Sequence, residues 1–165
     1  PPPEEAAPTN VDLERYVPAF LTWIAPLAPP DRAQPAQIVG AGRGMTDSEF
    51  PSVSILNTTS LADMSARMGQ DLSPHRWRGN LWLEGAAPWA EFDWIGRTIR
   101  IGGASLRIDE RITRCNATKV NPETGILDAD TLSALETAFG HQDFGVYATV
   151  IESGPIATGD DWSLT

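Results

Sequence analysis

The feature that most restricts the fold of this sequence is its punctuation. From Asn80 onward, short runs of alternating apolar and polar residues are cut by Gly, Pro or Asn. Asn80–Glu84, Thr98–Ile101, Ser105–Ile108, Arg111–Ala117 and Phe144–Ile151 each have the length and the period of a β-strand. Val53–Leu56 and the shorter Ile38–Val39 read the same way. The Gly102–Gly103 pair predicts a tight hairpin, and Asn121–Gly125 predicts a turn. Helical spacing is confined to three stretches. Val11–Ala25 follows a capping Asn10, with Leu13, Val17, Phe20, Leu21 and Ile24 in one stripe and Pro18 interrupting it. A second helix opens at Thr58 or Thr59, carries Leu61, Met64 and Met68 on one face, and stops at Gly69. The third is Asp130–Gly140, with Leu132, Leu135 and Phe139. Strands and helices do not alternate as βαβ units. The pattern therefore predicts a mainly β domain, a barrel or sandwich with two or three peripheral helices.

The chain has 165 residues, the size of one domain. Residues 1–10 (PPPEEAAPTN) read as a flexible tail or linker end, and 11–165 as the domain. The sequence opens on Pro1 rather than Met, so either processing or cloning has cut the chain or it is a piece, expected to be the C-terminal part, of a longer protein. No run approaches the ~20 apolar residues of a membrane span, and no secretory leader is evident. The expectation is a cytoplasmic protein without membrane contact. The single Cys115 excludes an internal disulfide, and with His75 and His141 it makes too few ligands for an ordinary structural zinc site.

The net charge of −10 argues against binding nucleic acid. The charge is unevenly spread. Residues 67–119 carry nine basic and six acidic side chains, whereas 120–165 carry eight acidic and none basic. All cations but Lys119 are Arg, the better fork for phosphate or carboxylate. Solvated strand faces explain such a segment; so does an anion site built from it.

Several side chains carry candidate chemistry. A solitary cysteine is most often a small buried hydrophobe, but Arg111, Arg114 and Lys119 lie within four residues of Cys115, and cations facing a sulfur favour its thiolate. On a strand, Arg111 and Lys119 share parity with Cys115. Arg76 and Arg78 share parity on an extended segment and can reach one anion, or can simply be exposed cations. Asn80 both donates and accepts, which suits a heterocycle edge. Thr59 and Ser60 start a helix, either as caps or as part of an anion site. Alternation puts Glu91 and Asp93 on one face, and nothing there argues for catalysis. The Gly-rich stretch Gly40–Pro51 reads as a loop and lacks the ending of a phosphate-binding P-loop. No Gly-x-Ser-x-Gly elbow of a serine hydrolase is present.

Arg78-Gly79-Asn80, then Ala90–Trp94, then the block Arg114-Cys115-Asn116-Ala117-Thr118-Lys119-Val120-Asn121-Pro122-Glu123-Thr124-Gly125, then Phe144–Tyr147 and Gly154–Asp160, resemble the MOSC family in order and spacing. This is the domain named for the C-terminal part of molybdenum cofactor sulfurase. The similarity runs from about Val53 to Asp160 and is nearest to the amidoxime-reducing branch. It implies a MOSC-type β-barrel holding the molybdenum cofactor, a molybdenum ion on the dithiolene of a phosphorylated pterin. It implies Cys115 as metal ligand and catalytic residue, with Thr59, Ser60, Arg78, Asn80, Arg114, Thr118, Asn121 and Thr124 on the cofactor. Asn121 stands where some relatives have Asp. Longer relatives begin with another β-rich segment that carries part of the cofactor's phosphate site. Pyridoxal phosphate is not expected. The activity implied is reduction of small N-hydroxylated substrates, with electrons from a separate redox protein. The alternatives are persulfide transfer on Cys115, or a non-catalytic cofactor-binding or interaction module.

Overall fold

The computed structural model describes residues 10–38, 46 and 48–165. The chain packs as two compact units, Pro1–Gly44 and Met45–Thr165. In the first, helix α1 (Asn10–Ile24) runs through Pro18 and passes into a 3₁₀ turn, Ala25–Leu27. The expected strand at Ile38–Val39 does not form at Ile38, and Val39 lies outside the described residues, as does most of the Gly40–Pro51 loop.

The second unit is built on one curled, mixed sheet. Its strands are β1 (Val53–Asn57), β2 (Leu81–Leu83), β3 (Thr98–Ile101), β4 (Ala104–Thr113), β5 (Asp143–Glu152) and β6 (Trp162–Leu164), in the order β2-β1-β5-β4-β3-β6. Only β1 and β2 pair in parallel among the described residues. The expected hairpin joins β3 to β4 across Gly102–Gly103, with Ile101 opposite Ala104. The Trp162 indole N–H donates to the Glu84 carbonyl, 2.9 Å away. That bond ties the segment after β2 to β6, the opposite edge, so the sheet curls into a half-barrel.

Helices α2 (Thr58–Met68) and α3 (Thr131–Phe139) match the sequence reading closely. Asn57 caps the first and Asp130 the second, and each ends on a left-handed glycine, Gly69 and Gly140. Two apolar clusters result from the alternation of β1. Ile55 packs with Ile99, Leu106, Ile108, Val146 and Ala148 on one side. Leu56 packs with Met64, Trp77, Leu135 and Phe144 under the helices on the other.

Phe144 and Val146 have the same strand parity yet sit in different clusters. The cause is Gly145 between them, at φ +79°, where a Cβ would stand 2.9 Å from the Ile55 carbonyl oxygen. No other residue fits that left-handed, crowded position. The resulting kink turns Phe144 onto Trp77, ring on ring at 3.9 Å. Both side chains are fully buried, each worth about 2–3 kcal/mol on burial alone.

Candidate functional site

An open cleft of about 710 Å³ beside the Trp77–Phe144 stack is lined by Arg78, Asn80, Arg114, Cys115 and Thr118. The structure thus brings five of the sequence candidates together. Thr59, Ser60, Asn121 and Thr124 do not line it.

The first wall begins with the 3₁₀ turn Pro74–Trp77, which Arg78 ends in the left-handed region, φ +51°. Gly79 follows because there is no room for a side chain: a Cβ would lie 2.5 Å from Leu56 Cδ1. Asn80 is then locked to β1. Its Oδ1 accepts from the Ser54 N–H (2.9 Å) and hydroxyl (2.8 Å), and its own N–H donates back to Ser54 Oγ (2.9 Å). With Oδ1 held by Ser54, the Nδ2 end is what Asn80 offers a ligand. The Arg78 side chain is exposed and its guanidinium makes no bond to any described residue.

The second wall is the end of β4. Arg114 donates from Nε and Nη2 to the Phe144 carbonyl (2.8 and 2.6 Å) and from Nη1 to the Trp77 carbonyl (2.8 Å). It clamps the two cleft walls together around the aromatic stack. Cys115 follows in extended conformation, exposed, and opens the 3₁₀ turn Asn116–Lys119. Its carbonyl accepts from the Thr118 N–H (3.1 Å) and hydroxyl (3.0 Å). Thr118 is buried, with its hydroxyl 2.7 Å from that of Thr131. Beneath the turn, buried Arg76 donates to the Thr118 carbonyl (3.2 Å) and pairs with Asp128 (2.7 Å). Asn121 donates to the other Asp128 oxygen (2.7 Å), and its own Oδ1 accepts from the N–H groups of Glu123 and Thr124. Asn121 and Thr124 therefore shape the turn behind the cleft. Burial raises the Asp128 pKa, but the bonds from Asn121 and Arg76 together outweigh it and hold the carboxyl below its ordinary value.

Four sequence expectations need correction. Ser105–Ile108 and Arg111–Ala117 are not two strands: β4 runs through both and stops at Thr113, so the parity linking Arg111, Cys115 and Lys119 does not exist. The three flanking cations do not bathe the sulfur either. Arg111 lies over the Phe92 ring (4.3 Å), Lys119 pairs with Asp130 (2.8 Å), and Arg114 is bonded to carbonyls. Arg76 and Arg78 share a 3₁₀ turn rather than an extended segment, and one is buried while the other is exposed. Glu91 and Asp93 lie on a 3₁₀ helix, Ala90–Trp94, with Glu91 buried and Asp93 exposed.

Glu91 explains where Thr59 and Ser60 went. Its Oε2 accepts from Ser60 Oγ (2.9 Å) and Asn57 Nδ2 (3.0 Å), and Ser60 Oγ accepts from the Trp89 N–H (2.8 Å). The Thr59 hydroxyl lies 2.7 Å from the Ala86 carbonyl oxygen and 2.8 Å from Asn57 Oδ1. All of Asn57, Ser60 and Glu91 are fully buried. Burial pushes the Glu91 carboxyl up, against smaller pulls from Asn57 and Ser60.

Sequence reasoning missed Ser54, whose signal was a lone hydroxyl inside the apolar run of β1. It also missed Glu110 and Tyr147, which line the cleft.

An exposed thiol, a partnerless guanidinium and an oriented amide in one cleft fit a soft metal bound through sulfur together with an anionic, heteroaromatic carrier. No group of three or more metal-ligating side chains occurs among the described residues, so a metal there would take its remaining ligands from such a carrier. No helix among the described residues is long and apolar enough to cross a membrane.

Comparison with known proteins bears on this cleft. The family model of the MOSC domain matches residues 46–163. Mitochondrial amidoxime reducing component 2 of Bos taurus is 28% identical over 120 residues, covering 66% of this chain and 35% of that protein. Mitochondrial amidoxime-reducing component 1 of Homo sapiens is 28% identical over 120 residues, with 64% and 34% covered. Molybdenum cofactor sulfurase of Anopheles gambiae is 36% identical over 76 residues, 46% of this chain and 10% of that protein. The chain spans about a third of the length of the amidoxime-reducing relatives it matches. Among solved structures, YiiM from Geobacillus stearothermophilus has a TM-score of 0.52 at 16% identity, covering 68% of this chain and 53% of that one. The YuaD protein from Bacillus subtilis has a TM-score of 0.52 at 19% identity, covering 68% and 62%. These two likenesses concern the fold.

Proposed function

The chain belongs to the MOSC domain family, and from that premise we propose that its Cys115 cleft binds the molybdenum cofactor and reduces N-hydroxylated compounds. The observation that carries this reading is the convergence of Arg78, Asn80, Arg114, Cys115 and Thr118 on one cleft. They come from two segments more than thirty residues apart in sequence.

Cys115 would ligate the metal through its thiolate. Arg78 would hold the phosphate or a carbonyl of the pterin, because its guanidinium has no partner among the described residues. Asn80 Nδ2 would donate to the heterocycle edge. Arg114 and Thr118 act one step back: the first fixes the cleft walls and the second fixes the Cys115 carbonyl. Thr59 and Ser60 are bonded into the Glu91 network, and we assign them to positioning α2 rather than to the cofactor. When bound, the cofactor supplies a two-electron metal centre. In the overall reaction the substrate takes up two electrons and two protons, its N–O bond breaks, and water leaves. A separate redox protein delivers the electrons.

The test is molybdenum by elemental mass spectrometry and pterin by fluorescence after oxidation, on protein from a cofactor-competent host. Near-stoichiometric metal and pterin in the wild type, with metal lost in Cys115→Ser, is the expected result. Neither metal nor pterin in the wild type, tested as its full natural chain, would sink the reading. One observation favours a second reading in that event: an exposed thiol at a turn is accessible to a sulfur donor. Persulfide on Cys115, detected by mass after alkylation, would establish transfer instead.

A further inference from the structure

We propose that the Cys115 cleft contains a cation subsite, formed by Glu110 and the ring of Tyr147, which takes an amidinium or guanidinium group that the substrate carries apart from its N-hydroxyl. That the cation is the substrate rests on the reductase reading; the subsite itself does not.

Three adjacent strands place a polar row on the cleft side. Ser54 of β1 is in register with Tyr147 of β5, and Tyr147 is in register with Glu110 of β4. Directly opposed residues share a face, roughly 5 Å apart, and all three line the cleft. Glu110 reaches this face only through a bulge. Pairing passes from Ile108↔Ala148 to Glu110↔Tyr147, so Asp109 is the extra residue. Without it, Glu110 would oppose Val146, the register position that Arg111 takes over the Phe92 ring, and would leave the Tyr147 face. Bulges re-aim side chains in this way. This one is held on both sides, because Asp109 accepts from Arg107 Nε (2.7 Å) and from the Thr149 hydroxyl (2.7 Å).

Among the described residues lining the cleft, which include Arg76, Arg78, Arg111 and Arg114, Glu110 is the one carboxylate. It is exposed and bonds none of them, nor any other described residue. Three of these arginines are engaged elsewhere, and Arg78 makes no ion pair with Glu110. Arg76 pairs with Asp128, Arg111 lies over Phe92, and Arg114 is bonded to the Phe144 and Trp77 carbonyls. A carboxylate kept apart from nearby guanidiniums is available to a cation from outside. Tyr147 supplies an aromatic wall beside it, steadied edge-on by Phe50 (ring centroids 6.3 Å, 86°). A planar delocalised cation suits this pair: two parallel N–H donors meet the carboxylate, and the ring receives the charge.

The probes are benzamidine and its neutral counterpart benzamide, titrated calorimetrically into the chain without need of metal. Wild type is expected to bind benzamidine about tenfold or more tightly than benzamide, the loss of one charge-assisted pair. Glu110→Gln should bring benzamidine down to the benzamide level and leave benzamide unchanged. Its melting temperature should be unaltered, since the carboxylate holds nothing in the fold. Tyr147→Leu should weaken benzamidine about threefold. Glu123→Gln, outside the cleft, should change neither probe. Absence of benzamidine binding, equal binding of the two probes, or a preference that survives Glu110→Gln would overturn the subsite. An intact preference in protein that never loads molybdenum would sustain the subsite and defeat the cofactor reading. Molybdenum loading with no preference would do the reverse.

Discussion

Two polar constellations in the second unit contain most of the residues expected to hold a cofactor, and they differ in one respect. In the Asn57–Ser60–Glu91 network the groups are turned on one another and fully buried. Of its donors and acceptors, Glu91 Oε1 is left without a partner. In the Cys115 cleft the same kinds of group face outward. The side chains of Arg78, Cys115 and Glu110 have no bonding partner among the described residues, and Asn80 spends only one end of its amide. Residue type does not distinguish a structural polar cluster from a binding one; the state of its bonds does. A closed network stabilises the fold, because opening it leaves buried polar atoms unmet. An open one contributes little stability and is free to take a ligand.

The comparison breaks most visibly at Ser60. Ser60→Ala removes the donor to Glu91 and the acceptor of the Trp89 N–H, both internal. The expected loss is about 2 kcal/mol, read as a lower urea midpoint at unchanged slope. Metal and pterin per folded chain should stay at the wild-type level. Wild-type stability with lost cofactor would move Ser60 into the binding site and erase the distinction.

The helices and most strands were legible because each carries its own local signals: the apolar stripes of α2 and α3, their capping Asn57 and Asp130, and Gly69 and Gly140 as stops. The membership of the cleft was legible in part, through the Arg78–Asn80 and Arg114–Gly125 segments. What could not be read were events that depend on two strands at once. The bulge at Asp109 and the kink at Gly145 each reverse a side chain's face, and a period-2 reading has no way to register them. That is why Glu110 is not legible in the sequence; the neighbours expected for Cys115 fail for another reason, because β4 stops at Thr113 and a 3₁₀ turn follows. The 3₁₀ turns at Pro74–Trp77 and Ala90–Trp94 were read as extended for a related reason. Four or five residues look alike in either conformation until packing chooses which of Arg76 and Arg78, or of Glu91 and Asp93, goes inside.

A smaller effect, confined to pH above the ordinary carboxylate range, sharpens the account of the closed network. Burial raises the Glu91 carboxyl pKa in the folded state above its unfolded value. Between those two values the folded chain keeps a proton that the unfolded chain has released. Stability is then complete below the ordinary carboxylate range and declines as pH rises through the window. Glu91→Gln keeps an acceptor for Asn57 and Ser60 and has no proton to lose. From acid to neutral pH the wild-type urea midpoint should fall relative to that of the variant, the carboxyls held below their ordinary values, such as Asp128, being common to both. Parallel curves would mean that Glu91 is solvated in solution and that the network is less closed than its geometry.

Arg78 gives the smallest stability effect, of opposite sign, and the sharpest contrast. A side-chain-bearing residue at φ +51° carries backbone strain of about 1 kcal/mol that glycine does not. Nothing inside the fold compensates for it, because the Arg78 guanidinium bonds no described residue. Arg78→Gly should therefore raise stability slightly, by about 0.5–1 kcal/mol, while inorganic phosphate, as a probe of the pterin's phosphate, binds the cleft about tenfold more weakly. A strained residue whose removal stabilises the fold and impairs the ligand is held there for the ligand. If the glycine variant instead loses stability, the guanidinium has an internal role, and the open cleft joins the closed network as structure.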